Sequence, residues 1–173
     1  ISQREVRRHL RNFPDGLRSA MRENPDVIVV GEMRDVETMS LVFNAANTGH
    51  LVISSTHANN AITTISRLIN AFPAEQINEA KTMISLSLNG ICCQHLVPLA
   101  DGSGVIPAME YMHNTNGVRH LIRSGNFEQL QSIIEMGSQY GMTTMDKHLE
   151  EMQLKGLISE QTRRQYSQGA SSS

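Results

Sequence analysis

Two short apolar runs in this chain each lead into a side chain that could act on a phosphate group. The first, Asp26-Val-Ile-Val-Val-Gly31, runs directly into Glu32, followed by Met33, Arg34 and Asp35. The second, His50-Leu-Val-Ile-Ser-Ser-Thr56, is followed by His57. A carboxylate at the carboxyl end of a rigid strand can polarise an attacking water, or hold the water shell of a magnesium ion, for an in-line displacement. An imidazole beside it can donate to a phosphate oxygen. Singly, each feature is weak, because many strands end in an acid at the solvent edge and a lone histidine there is more often a satisfied polar residue. The pair is the stronger signal. Between the two runs, residues 35–47 place Met39, Val42, Phe43 and Ala46 at helical spacing, which makes a βαβ crossover. If the strands are parallel neighbours, Glu32 and His57 share one rim of the sheet. His50 lies seven residues before His57, and an odd separation along a strand turns two side chains to opposite faces. His57 therefore ranks first for phosphate contact, and His50 stays open between a core role and a catalytic one.

Arginines surround this pair in the sequence. Arg34 lies between Glu32 and Asp35, and its expected role is to orient their carboxylates. Arg4, Arg7, Arg8 and Arg11 outnumber Glu5 at the start of the chain. They form either a solvated edge or, through one of them, a finger reaching a neighbouring subunit's nucleotide. Arg119 and Arg123 are four apart on an expected helix, so they share a face that meets a partner subunit or solvent. No G-x-x-x-x-G-K-[ST] string occurs anywhere, and Gly102-Ser-Gly104 has no following lysine, so it reads as a turn. The catalytic half of a nucleotide site is legible, and the phosphate-binding half is not.

The elements that must position these groups follow from the wider pattern. A chain of 173 residues with 39% hydrophobic and 18% charged residues can bury a core without disulfide or metal support. A formal net charge of −2 argues against a dedicated nucleic-acid binder, which needs a basic field. No apolar run approaches the ~18 residues of a membrane span, so no direct membrane insertion is expected. The adjacent Cys92 and Cys93 read as reduced thiols of a core strand in a cytosolic protein. Short β-rich runs alternating with helices over the first half point to an α/β parallel sheet. Helices are expected over 13–24, 35–47, from Asn59 or Asn60 onward, and over 74–89. Strands 91–99 and 105–111 form a hairpin through Ala-Asp-Gly-Ser-Gly104. After Asn114 the pattern changes to short helices, with Thr143-x-x-Asp146 as a capping-box-like start and Gly156 to Ser159 as a stop and restart. Ile1 is not an initiator residue and Ser2 to Val6 reads as a strand entered mid-domain, so the chain is expected to begin inside a larger protein. Residues 167–173 read as a disordered tail.

The string Glu32-Met-Arg-Asp35 with Glu37-Thr38, then Ala45-Ala-Asn-Thr-Gly-His50-Leu-Val52, then Thr56-His57, closely resembles the secretion ATPase superfamily. Within it the likeness is to pilus retraction ATPases of the PilT/PilU type. It extends from Ile1-Ser-Gln-Arg-Glu-Val6 through Phe72-Pro-Ala-Glu75 to Gly141-Met-Thr-Thr-Met-Asp146 and Lys155-Gly-Leu-Ile-Ser159. The resemblance implies an α/β fold, an incomplete RecA-like parallel sheet flanked by helices and followed by a small helical carboxyl-terminal subdomain. Residues 1–114 would be the catalytic half of the ATPase domain, and residues 115–166 the helical subdomain. By the same resemblance, residues 26–35 match an atypical Walker B segment with Gly31 in place of the usual aspartate and Glu32 as the catalytic glutamate. Residues 48–57 match the histidine box. His57, His50 and Arg4 are the implied nucleotide contacts, and Glu32 meets magnesium through a bound water. The phosphate-binding loop, a PAS-like domain and most of an aspartate box would lie upstream of Ile1, leaving only Gln3-Arg4-Glu5-Val6 of that box.

Residues Gly117-Val-Arg-His-Leu-Ile-Arg-Ser124 align with the family's A-I-R-N-L-I-R-E motif. Arg119, Leu121, Ile122 and Arg123 agree and are the implied motif or partner contacts; Gly117, Val118, His120 and Ser124 depart. Thr56-His-Ala-Asn-Asn60 leans toward the PilU-like branch. The implied function of the intact protein is ATP hydrolysis, with ATP and Mg, coupled to type IV pilus retraction or disassembly. It would act as a homohexamer against an inner-membrane pilus platform protein, cytoplasmic and peripheral to that membrane. This chain alone is expected to bind no nucleotide and to be inactive. A reading from a different class is a non-catalytic adaptor module of a secretion or pilus system, built on residues 115–166 with a helix-turn-helix at Gly156–Ser159. A DNA-binding version would need a basic recognition helix, and the final helix offers only Arg163 and Arg164.

Overall fold

The computed structural model describes residues 1–167. They divide into two compact units, residues 1–57 with 67–88, and residues 58–66 with those from 89 onward.

In the first unit, helix α1 (Phe13–Met21) starts where the Asn12 side chain accepts from the Asp15 N–H at 2.8 Å. Pro14 occupies its first turn, where a missing N–H leaves no bond unmade. Strand β1 (Val27–Val30) then leads to helix α2 (Val36–Asn47) and strand β2 (Leu51–Ser54). Asp35 caps α2 by accepting from the Thr38 N–H at 2.7 Å and from its hydroxyl at 2.8 Å. The chain leaves α2 through Gly49 at φ +103°, a backbone region that L side chains rarely adopt. The two strands pair in parallel, Val27 opposite Leu51 through Val30 opposite Ser54. The crossover expected from the sequence is therefore present. Leu17, Ile28, Val30, Val42 and Ala45 form the core of this unit. Ala45 is fully buried and the expected Ala46 only partly so, a one-residue rotation of the helix face. The unit also holds the last turn of helix α3 (Ala61–Asn70) and helix α4 (Ile77–Ser87).

Two expectations fail in this unit. Residues 1–5 are not a strand; Val6 makes one isolated bridge with Leu10, and the Arg8, His9 and Leu10 N–H groups all donate to the Glu5 carbonyl. No strand of the described residues offers them a ladder, so a tight turn satisfies the backbone instead. The length and β-branching of Val27 to Val30 suit a buried strand, yet β1 is not buried on both faces. Ile28 and Val30 face the core, whereas Val29 on the other face is 73% exposed, beside exposed Val27, Leu51 and Ile53.

In the second unit, strands β3 (Gly90–Pro98) and β4 (Val105–His113) form the expected antiparallel hairpin. Its turn is closed by Asp101, which accepts from the Ser103 N–H and hydroxyl, so Gly102-Ser-Gly104 is a turn. Helices α5 (Asn116–Ser124), α6 (Leu130–Met136), α7 (Met145–Leu154) and α8 (Glu160–Tyr166) follow. Val97 and Ala108 of the hairpin pack with Met145, Leu149, Met152 and Ile158. That shared core places the hairpin with the carboxyl-terminal helices, so the compact units do not divide at residue 114. Thr144, not Thr143, caps α7, accepting from the Lys147 N–H; Thr143 is held by backbone pairing with Tyr111. Gly156 at φ +70° and the Ser159 cap make the expected stop and restart. Ser167, read as tail, is ordered by bonds to Arg163 and Asp146; residues 168–173 lie outside the described residues. Cys92 and Cys93 are free thiols, and burial pushes Cys93 up to about 11.

Candidate active site

The parallel register of β1 and β2 decides which side chains can meet past their carboxyl ends. Glu32 stands two residues beyond Val30, and His57 three beyond Ser54. Pairing of the chain continues into the loops: the Met33 N–H donates to the Ser55 carbonyl at 3.3 Å, and the Ser55 hydroxyl to the Gly31 carbonyl at 2.5 Å. These two bonds lock both exits together. As a result His57 Nε2 lies 3.1 Å from Glu32 Oε1.

The other Glu32 oxygen, Oε2, accepts from Arg34 Nε at 2.7 Å and lies 2.6 Å from Arg34 Nη2. The Arg34 guanidinium holds the Glu32 carboxyl below its ordinary value, desolvation opposes it, and the His57 ring adds a weaker lowering effect. The Arg34 pKa is raised in turn by the same pair. Glu32 is 23% exposed, and its partners Arg34 and His57 are 76% and 82% exposed. The carboxylate is thus anchored at the base, and the groups that neutralise it are free to move. A cleft of about 270 Å³ opens here, lined among others by Met39, Thr56, Arg67 and Leu68.

Arg34 does not also orient Asp35, as its position in the sequence suggested. Asp35 is committed to the α2 cap, which leaves Glu32 as the carboxylate at the rim. His50 is not brought there either. It sits at the amino end of β2, bonded through Nδ1 to the Ala45 carbonyl at 3.0 Å, with Nε2 buried and unpartnered. Arg4 is tied to the Ser19 hydroxyl and the Glu23 carboxylate of the α1 region. On α5, Leu121 and Ile122 are buried in the second unit, 5% and 0% exposed, so they are core and not a contact surface. Arg123 is exposed, and Arg119 lines a separate hollow.

One residue of the cleft has no counterpart in the sequence reading. Arg67 donates to the His57 carbonyl and so fixes the backbone that carries the imidazole. Its only sequence signal is its place in α3, ten residues after His57, among apolar neighbours. Among the described residues, no group of three or more His, Cys, Asp or Glu side chains is arranged to hold a metal ion. A single carboxylate fits a magnesium ion that keeps water and phosphate as its remaining ligands, and contact through a water suits it better than a protein cage. No helix of the described residues is long and apolar enough to cross a membrane.

Comparison with known proteins places this geometry in context. The family model "Type II/IV secretion system protein" matches residues 2–171. The type IV pilus retractation ATPase PilT of Pseudomonas aeruginosa is 43% identical over 165 residues, covering 95% of this chain and 48% of that protein. The type IV pilus ATPase PilU of the same organism is 37% identical over 158 residues, covering 91% of this chain and 41% of that protein. These identities do not favour the PilU-like lean drawn from Thr56 to Asn60. A crystal structure of the pilus retraction motor PilT with bound ADP superposes with a TM-score of 0.88 at 39% identity, covering 97% of this chain and 47% of that one. That likeness shows the α/β fold with an incomplete RecA-like parallel sheet. The chain spans about half the length of the curated relatives it matches.

Proposed function

The chain belongs to the type II/IV secretion system protein family, and from that premise we propose that it is the catalytic half of a motor ATPase acting on a type IV pilus. ATP is the substrate of the intact protein, and residues outside these 173 supply the loop that binds its phosphates. The observation that carries this reading is the 3.1 Å contact of Glu32 with His57 across the ends of two parallel strands. Glu32, held below its ordinary value, is ionised at neutral pH. It therefore acts as a fixed acceptor that orients the attacking water, and as a weak base it gains strength only as charge develops in the transition state. His57 is exposed; Arg67 fixes its backbone, and its ring rests on Glu32. It can turn from Glu32 toward a γ-phosphate oxygen once nucleotide is present. A magnesium ion would neutralise phosphate charge, and Glu32 would hold one of its waters.

The homohexamer, the platform protein at the inner membrane and the cytoplasmic location are part of the same proposal, supported by the relatives that are pilus ATPases. The adaptor reading is not favoured, because relatives matched over nearly the whole of this chain are named as pilus ATPases; in α8, Arg164, one of the two arginines its DNA-binding version would use, is tied to Glu160. The test is Glu32→Gln in the full-length protein. ATP binding is retained and turnover falls by about 10²–10⁴-fold, the range for losing a positioned acid or base. Near-normal turnover removes Glu32 from the role. The 173-residue chain alone gives no heat of ATP binding by titration calorimetry.

A further inference from the structure

A second hollow, of about 490 Å³, lies wholly within the second unit and takes no part in the site at Glu32. Its floor is one face of the β3–β4 hairpin. Cys92 stands opposite Tyr111 and Gly90 opposite His113 in the antiparallel register, so all four positions share a face. Gly90 has no side chain, and the Tyr111 ring lies across it: an added Cβ would stand 2.9 Å from the Met112 carbonyl oxygen and 3.5 Å from the Tyr111 hydroxyl. The Tyr111 and His113 rings meet edge to face, with centroids 4.7 Å apart. The wall is the turn from β4 into α5, closed by the Asn114 N–H donating to the Asn89 carbonyl at 3.0 Å, and Arg119 stands one turn into that helix.

The lining has a one-sided chemistry. It carries an arginine, a histidine, a tyrosine, a threonine and asparagines, and no aspartate or glutamate. Glu110, adjacent in sequence to Tyr111, points to the opposite face and caps helices there. Most telling, Arg119 Nε is buried with no hydrogen-bond partner. Buried donors are almost always satisfied, and an exception calls for a missing acceptor. Water could accept the hydrogen bond but would leave the guanidinium charge unpaired. An oxyanion meets both needs, since arginine presents a planar fork that matches carboxylate and phosphate oxygens. We propose that this hollow is a binding site for a compact oxyanion, a phosphate or a carboxylate group, held on Arg119 with His113 and Thr115 within the same lining.

The guanidinium itself reports on the site. In the ¹⁵N-labelled 173-residue chain, the Arg119 Nε–Hε resonance is assigned by its loss in Arg119→Lys and followed during titration at constant ionic strength. One arm adds inorganic phosphate; the other adds acetyl-Glu-Glu-amide. A saturable shift of this resonance is expected in at least one arm, and the arm that saturates at lower concentration identifies the source of the anion. Following Arg119 separates this hollow from any phosphate that collects near His57. Arg119→Gln should weaken binding at least about tenfold, as read from backbone amides of the hollow. Should that variant fail to fold, His113→Asp places a competing carboxylate inside, and its spectrum should show no saturable shift with phosphate. A linear, unsaturated response to both probes overturns the proposal, as does undiminished binding in a folded Arg119→Gln or His113→Asp chain.

Discussion

Two glutamates of this chain sit at the ends of strands' worth of apolar sequence, and their surroundings could hardly differ more. Glu110 on β4 is 1% exposed, and its two oxygens accept from backbone N–H groups, Ala61 at 2.7 Å and Met145 at 3.4 Å. It caps the amino ends of α3 and α7 at once, donors fixed by the fold that cannot be released without unfolding a helix turn. Glu32 accepts instead from exposed side chains, Arg34 and His57, which can swing away at the expense of rotamer order alone. The contrast separates structural from chemical use of the same residue type. A carboxylate satisfied by backbone is a rivet; one satisfied by movable side chains in a cleft can exchange those partners for water and phosphate.

The comparison breaks most visibly in stability. Glu110→Ala strips two buried donors of their acceptor and should lower the unfolding free energy of the 173-residue chain by about 3 kcal/mol. Glu32→Ala should leave it nearly unchanged, as for other exposed ion pairs. Urea unfolding of both variants checks this, and equal losses would erase the distinction. A smaller effect sharpens it. Thr144→Ala removes only the side-chain cap of α7 while Glu110 still holds the same helix end, and about 1 kcal/mol should be lost. The smallest effect is a titration midpoint. Glu32 has a depressed folded pKa, so its contribution to stability is complete above the unfolded carboxylate value and disappears as pH falls through the lower folded one. Carboxyl NMR should place its midpoint below the ordinary glutamate value. Arg34→Ala should raise that midpoint more than His57→Ala, because the arginine is the larger cause.

Much of the frame was legible in the residues. Apolar runs bounded by Asp26 and Gly31 and by His50 and Thr56 marked both strands, and Asp35, Asn60 and Ser159 marked helix starts that the hydrogen bonds reproduce. The rim pairing of Glu32 with His57 followed from topology, since parallel neighbours must end at one edge. What stayed illegible depends on partners distant in sequence. Periodicity shows that β1 is apolar and cannot show that Val29 is left uncovered. Spacing placed Arg34 between two acids, but Asp35 had already been claimed by the α2 cap. A motif match singled out Leu121 and Ile122 without knowing that α5 turns both into the core. Glu110 and Arg67 gave no local signal, because each acts on backbone many residues away.

The central claim is that Glu32 and His57 act on one phosphate as a unit, and a double-mutant cycle on ATP turnover tests it most directly. In the full-length protein, Glu32→Gln, His57→Ala and the double variant are compared by steady-state rate, with ATP binding measured in each. Residues that work as a unit give a double variant no slower than the slower single one. Losses that multiply, each variant contributing its full factor independently, would contradict the account.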